Sequence, residues 1–346
     1  MRSHLWAYFI PLCVAIGLKG GGAWHFTAVI AAFGLLPLLD HWVGVDRSNP
    51  TADDEERLRA DKGFSFALLG YVPVQVALVL VGAWTAAHVP LTGWERLGLI
   101  LSTGVATGGI GITVSHELCH RPRSLERMAS FTLLACVGYC HFCIEHVVGH
   151  HHRVATPEDP TSARLGESLY RFLPRTIIGS AVNVWRFEAE RLRKRGIHLW
   201  SWRNRILWCW SAPGFIVGAI FVAVGPLGAW FFCAQSVVAI VLLESINYVE
   251  HYGLVRARLP NGRYEKVSPL HSWNADHLVS NLFLFKLQRH SDHHANPLRP
   301  YQILRHFAES PQLPYGYPTM VLLAMVPPLW RRTMGPLVAT HRAATS

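Results

Sequence analysis

Six stretches of the chain are almost free of charge and approach the roughly 20 apolar residues that a membrane-spanning helix requires. They are Leu5–Leu18, Trp24–Val43, Phe66–His88, Trp94–Ser115, Ile206–Val224 and Leu227–Ile246. The first is short and draws on its flanks; glycines and another apolar run follow it, which argues for a span and against a cleaved signal. Only Gly225 and Pro226 separate the last two, so these form a helical hairpin. Met128–Cys143 is apolar but too short to cross, and reads as a re-entrant or interfacial helix. Met320–Trp330 is shorter still and is expected on the surface. Six long runs in one chain argue against ordinary soluble-core helices.

Composition sharpens this picture. Hydrophobic residues make up 51% of the 346 and charged ones only 16%, where a soluble chain carries about 25% charged. Lys and Arg number 32 against 22 Asp and Glu. Arg47, Arg57, Arg59 and Lys62 lie in the loop between the second and third spans. Fourteen more basic residues fall between Ser115 and Ile206, and eight between Asn247 and Tyr317. The opposite loops hold only Lys19 and Arg96. The positive-inside rule therefore puts both termini and the large polar segments in the cytoplasm. Orientation and anionic lipid account for the positive balance without nucleic acid. The run Arg186–Arg195 mixes both signs and reads as a solvated helix face. Seven cysteines without a paired spacing pattern fit a reducing compartment.

Twenty histidines are the anomaly, and four groups of them lie on that cytoplasmic side. His116-Glu117-Leu118-Cys119-His120 ends the fourth span. On a helix, positions i and i+4 share a face, so both rings can reach one metal. Glu145-His146 leads to Gly149-His150-His151-His152, with His146, His150 and His151 spaced i, i+4, i+5. His152 does not fit that spacing. Glu250-His251 follows the sixth span. His290, His293 and His294 stand at i, i+3, i+4 around Asp292. Isolated histidines such as His25, His41, His88 and His341 read as packing or surface residues.

The HExxH pattern at 116–120 is also the zinc-protease signature. A catalytic zinc, however, takes three protein ligands, and eight histidines in paired or tripled spacing plus His251 exceed that. The set fits two metals. Imidazole suits zinc, copper, iron and nickel alike; two irons can share the electrons of dioxygen cleavage, which makes a diiron oxygenase the economical reading. Glu117, Glu145, Glu250 and Asp292 could orient ligands through the far ring nitrogen or bind metal themselves, and spacing leaves both roles open. A metal transporter should carry polar residues along the membrane midplane, whereas these histidines sit past the span ends. The expected fold is all-α: a six-transmembrane-helix bundle with a cytoplasmic histidine-rich diiron region. It forms one integral-membrane domain over residues 1–346. Spans occupy 1–115 and 206–246, and metal-binding segments occupy 116–205 and 247–316.

Four segments in order, HELCH, GYCHFCIEHVVGHHHRVATPEDPTSAR, NYVEHYGL and HSWNADHLVSNLFLFKLQRHSDHHANPLRPYQILR, closely resemble the integral-membrane alkane monooxygenases (alkane hydroxylase, AlkB family). These belong to the wider superfamily of membrane fatty-acid desaturases and hydroxylases, which shares only the histidine boxes. Xylene-type methyl monooxygenases are near relatives. Carried over by position, the resemblance implies diiron ligands at His116, His120, His146, His150, His151, His251, His290, His293 and His294, with His271 and His277 as candidates to orient those ligands or to serve the structure. HELCHRP departs from the family's HELGHK-like box, which bears on substrate range more than on metal binding.

The resemblance further implies hydroxylation of an n-alkane's terminal methyl by O2 at a non-haem pair of Fe ions, in a bacterial inner membrane. No side chain beyond the ligands need be catalytic. A membrane fatty-acid desaturase or hydroxylase, or a xylene-type enzyme, is the alternative. Electrons are expected from rubredoxin, with rubredoxin reductase upstream. The chain carries no dinucleotide fingerprint: Gly104–Gly111 lacks GxGxxG order, and its Gly104-xxx-Gly108 spacing suits close helix packing. Cys140 and Cys143 form a lone CxxC, short of the four thiolates of a rubredoxin iron site. Trp24, Trp42, Trp84 and Ile112 are candidates to line a substrate tunnel.

Overall fold

The computed structural model describes residues 2–345. Among them the regular structure is entirely helical, with only isolated bridges such as Val45 to His277 outside the helices. Five helices are long and apolar enough to cross a membrane: Gly22–Val43, Gly63–His88, Gly93–Cys119, Arg205–Val224 and Pro226–His251. A shorter apolar helix covers Leu5–Gly20. The chain packs as two units. One comprises Met1–Leu35, Lys62–Glu145 and Ala181–Leu243; the other comprises Leu36–Asp61, His146–Ser180 and Glu244–Ser346.

The first unit is apolar helix packed on apolar helix. Gly93–Cys119 is its most enclosed helix, with 83% of its apolar window buried, against 17% for Arg205–Val224. Thr92 and Glu95 cap its start reciprocally, satisfying amides that a helix otherwise leaves open. Small residues set the approach of its neighbours. A Cβ on Gly108 would lie 2.7 Å from the Ala239 Cα, and one on Gly104 would meet Val238. The Gly104-xxx-Gly108 pair is thus the contact face for helix Pro226–His251. From Ala106 to Ile112 the backbone widens into a π-helical turn. The Tyr71 hydroxyl donates to the Ala106 carbonyl at 2.8 Å, and the Thr107 hydroxyl donates to Gln235 at 2.8 Å. Such partners stabilise irregular backbone where no water reaches.

Three expectations need correction. Trp24, Trp42 and Trp84 are 59%, 73% and 53% exposed, so they do not line an internal tunnel; indole rings near span ends favour the membrane interface. Ile112 is buried, packed among Leu134, Val137 and Ala239. Met320–Trp330 does not lie wholly on the surface. It breaks into the helices Tyr317–Ala324 and Pro327–Thr345, and Met320, Val321, Ala324 and Trp330 are buried. Pro327 and Pro328 cannot continue the first helix but suit the start of the second. The stretch Met128–Cys143 likewise divides: helix Ser124–Ala135 ends before Gly138, whose φ is +68°, and a second short turn begins at Phe142.

The second unit is held largely by charged and polar staples. The buried Arg289 donates to the carbonyls of Leu304 and Asp46 at 2.8 and 2.7 Å. Arg305 grips Glu55 at 2.6 Å. Asp40, inside an apolar helix, accepts from the Ser280 amide at 2.9 Å and from its hydroxyl. Asp292 receives Arg299, Asn296 and the Arg305 amide. These contacts fix the loops that bear histidines.

Candidate metal centre

Helix Thr113–Cys119 and its last turn carry His116 and His120 in the first unit, with ring centroids 5.5 Å apart. Their neighbour Glu117 turns to Arg121, whose Nε lies 3.0 Å away. The remaining seven expected ligands belong to the second unit. There a π-helical turn, Glu145–His150, leads into His151. The wider turn changes which rings face one another, because i and i+5 become neighbours. His146 Nε2 accordingly lies 3.0 Å from His151 Nε2. His293 Nε2 approaches the same His151 atom at 3.1 Å.

His150 faces another way. Its Nε2 lies 3.1 Å from His294 Nε2, which in turn lies 3.0 Å from His290 Nε2. His251 completes this group: His150, His251, His290 and His294 each bring one ring nitrogen within 4.8 Å of the others, and all four are buried. His151 and His294 stand 4.5 Å apart by ring centroid, so the two nitrogen groups adjoin. His152, next in sequence, is exposed.

The far nitrogens are tied down. Asp159 meets His150 Nδ1 at 2.9 Å and also accepts from the Ser162 hydroxyl and the Thr161 amide. Burial opposes ionisation of Asp159, but His150 and these donors outweigh it and hold the carboxyl at about 2. It is therefore a carboxylate at neutral pH, and it fixes the His150 ring with Nε2 facing the cluster. Ser272 meets His251 Nδ1 at 3.1 Å, and His251 Nε2 has no partner among the described residues. Burial, and then the rings of His151, His290, His150 and His251, push the His294 pKa far below its usual value. His294 is thus neutral, as a metal ligand must be.

The donor set fits a metal. An Nε2 atom carries either one proton or one lone pair, so it can satisfy one neighbouring nitrogen and not two. His294 Nε2 has two such neighbours, and so does His151 Nε2. A cation in each group would engage every nitrogen through its lone pair.

Sequence reasoning missed Asp159 and Ser272. Neither carries periodicity or motif spacing, since each reaches its histidine only through a folded loop; Asp159 stood inside the matched TPEDPTS segment without a role. The other acidic candidates divide. Glu250 is buried, with Oε2 3.1 Å from His290 Nε2. Asp292 faces Arg299 and the Arg305 amide. Glu145 is buried at the end of the first unit. His271 is directed to Glu265 and Ser268. His277, its pKa lowered by burial against the charges of Asp40 and Asp276, sits beside Val45. The His271 side chain is thus bonded to groups other than the ligand candidates.

Helices apolar enough to cross a membrane, together with two histidine groups able to hold metal, define a candidate membrane metalloprotein, and comparison with known proteins gives its family. The fatty acid desaturase family model matches residues 92–324. Alkane 1-monooxygenase 2 of Pseudomonas aeruginosa is 47% identical, covering 99% of this chain and 94% of that protein. Alkane 1-monooxygenase 1 of Alcanivorax borkumensis is 41% identical over 96% of this chain and 84% of its own. The xylene/toluene monooxygenase hydroxylase component XylM of Pseudomonas putida is 29% identical, over 93% of this chain and 85% of its own. The chain belongs to the alkane 1-monooxygenase branch of the fatty acid desaturase family.

Proposed function

We propose that this protein hydroxylates the terminal methyl of n-alkanes to primary alcohols. The overall balance is one alkane, one O2, two electrons and two protons giving one alcohol and one water. The observation that carries this reading is the pair of adjoining imidazole groups, in a chain whose close relatives are named for alkane oxidation. Two irons are the proposed occupants. His150, His251, His290 and His294 would hold one, and His146, His151 and His293 would supply nitrogens to the other; His116 and His120 are proposed as ligands from their positions in the sequence motif. When bound, the iron pair supplies activation of dioxygen for insertion into a C–H bond.

The chain's residues do the rest. Asp159 and Ser272 keep two rings aimed inward, and the neutral His294 keeps its lone pair available. Glu250 stands beside His290 as a further carboxylate donor or as its orienter. An n-alkane is already dissolved among lipid tails, so it reaches the spans laterally without crossing water. Electrons come from reduced rubredoxin, re-reduced by its reductase, and an acidic donor would dock on the basic cytoplasmic face by charge complementarity. The whole of residues 1–346 acts as one domain in a bacterial inner membrane, with both termini and the histidine groups cytoplasmic.

The test gives membranes holding this protein, rubredoxin and reductase a panel of n-alkanes under isotopically labelled O2. Labelled primary alcohols are expected. A double bond in an acyl chain, without labelled alcohol, would overturn the reading in favour of a desaturase. Labelled benzylic alcohol from xylene with inert alkanes would favour the xylene-type alternative.

A further inference from the structure

The polar segment preceding helix Arg205–Val224 forms a pocket that the oxygenase chemistry does not use. It encloses about 560 Å³ and is lined by Arg191, Arg195, Ile197, Trp202, Arg203, Arg205 and Trp208. Four guanidinium groups meet there, and no acidic side chain lines it. Glu188, fully buried beneath, pairs with two of them, Arg191 at 2.6 Å and Arg205 at 2.8 Å, and offsets one of their two charges. Burial opposes its ionisation, but the hydrogen bonds from both arginines hold its carboxyl down at about 2. The other nearby acid, Glu190, pairs with Lys194 at 2.8 Å. Arg195 and Arg203 have no carboxylate partner among the described residues, and both are exposed. Arg203 instead lies over the Trp202 ring, 5.4 Å from its centroid.

The remaining walls are apolar and aromatic. Trp202 is 73% exposed and Trp208 55%, and the Trp208 indole is fixed by donating to the Trp202 carbonyl at 2.8 Å. Arg205 is the first residue of a candidate span whose flank is almost wholly unburied. Exposed tryptophans and cations at a span's end mark the headgroup level of a bilayer. The pocket thus joins two cations without a carboxylate partner to indole walls and opens at the foot of a helix that faces lipid tails.

We infer that this pocket binds the headgroup of an anionic membrane phospholipid. Arg195 and Arg203 take the phosphate, Trp202 and Trp208 cover the glycerol region, and the acyl chains follow Phe215 and Val222, which are exposed on the same helix. An acidic protein is the weaker occupant, because a specific protein interface needs roughly 800 Å² from each partner and this site is a small concavity.

The experiment uses the full-length protein in a non-ionic detergent, offered equal amounts of palmitoyl-oleoyl phosphatidylglycerol and the matching phosphatidylcholine, with retained lipid counted by native mass spectrometry. One phosphatidylglycerol is expected to be retained in preference. Each basic contact is worth about fivefold, so Arg195→Gln with Arg203→Gln should cut that preference by roughly twenty-five-fold. Arg57→Gln with Arg59→Gln, two exposed arginines paired with Asp54 and Glu55 on a helix elsewhere, should leave it unchanged. Trp202→Ala, which keeps both cations, should weaken retention independently and guards against a misfolded double variant. Equal retention of the two lipids, or an undiminished preference in the double variant, would overturn the proposal. Displacement by inorganic phosphate at the same concentration would make it a plain anion site. Loss of rubredoxin affinity in the double variant, with lipid retention intact, would make it a protein-docking face.

Discussion

The Nε2 atoms of His146 and His151 lie 3.0 Å apart although five positions separate the residues in the chain. On a regular α-helix, five positions is about 140° of rotation, which would point the rings apart. The π-helical turn Glu145–His150 removes that divergence and directs His150 to the other nitrogen group. One inserted backbone step therefore distributes three consecutive-looking histidines between two sites.

Adjacent histidines should behave oppositely under mutation. His151→Ala removes the nitrogen on which His146 and His293 converge; iron content, measured on purified protein, should fall from about two per chain to about one, and alkane oxidation by more than about a hundredfold. His152→Ala, at an exposed position, should change neither. Equal effects of the two would contradict the division of ligands.

Asp159 is the orienter that sequence spacing did not reveal. Asp159→Asn keeps the size but loses the carboxylate that fixes the His150 ring. Activity or iron affinity should drop about 10- to 100-fold while far-ultraviolet circular dichroism stays unchanged. Ser272→Ala, which removes one neutral partner of His251, should cost less.

Close helix packing at Gly108 can be tested separately from the chemistry. Gly108→Val would drive side-chain carbons into the Ala239 backbone, and overpacking of this kind costs about 1–3 kcal/mol. Thermal unfolding in detergent should shift down accordingly. Gly109→Ala, whose Cβ would meet only Leu242 at 3.5 Å, should be tolerated.

Glu188 makes an acid-side prediction. Its folded pKa, held at about 2, lies below the unfolded glutamate value of about 4.3. The stabilisation is then fully present above about pH 4.3 and is lost as pH falls towards 2. Glu188→Gln should flatten the melting-temperature profile as pH falls from about 4.3 towards 2. A profile parallel to the unsubstituted protein would remove Glu188 from that role.

How much of this was legible in the chain follows from the length scale of each feature. Spans such as Phe66–His88 are read from local hydropathy, because a bilayer acts on each helix individually. The i, i+4 histidines at 116 and 120 and the i, i+3, i+4 set at 290–294 are also local. What stayed hidden depends on chain folded back from far away. The π turn at 145–150 has no compositional mark, Ser272 reaches His251 across 21 positions, and Asp40 finds Ser280 across 240. The tryptophans misled because an aromatic ring at a span's end has the same sequence signature whether it points inward or toward lipid.

The short helix His290–Ala295 carries three of the nitrogens and is braced by contacts outside the nitrogen group: Arg289, just before it, donates to the Leu304 and Asp46 carbonyls, and Asp292 within it receives Arg299 and the Arg305 amide. Such bracing makes the cage a property of the polypeptide itself. Under the diiron proposal, chelated protein should consequently keep its shape and regain two irons on adding ferrous salt, so that emptying the site is reversible and not a denaturation.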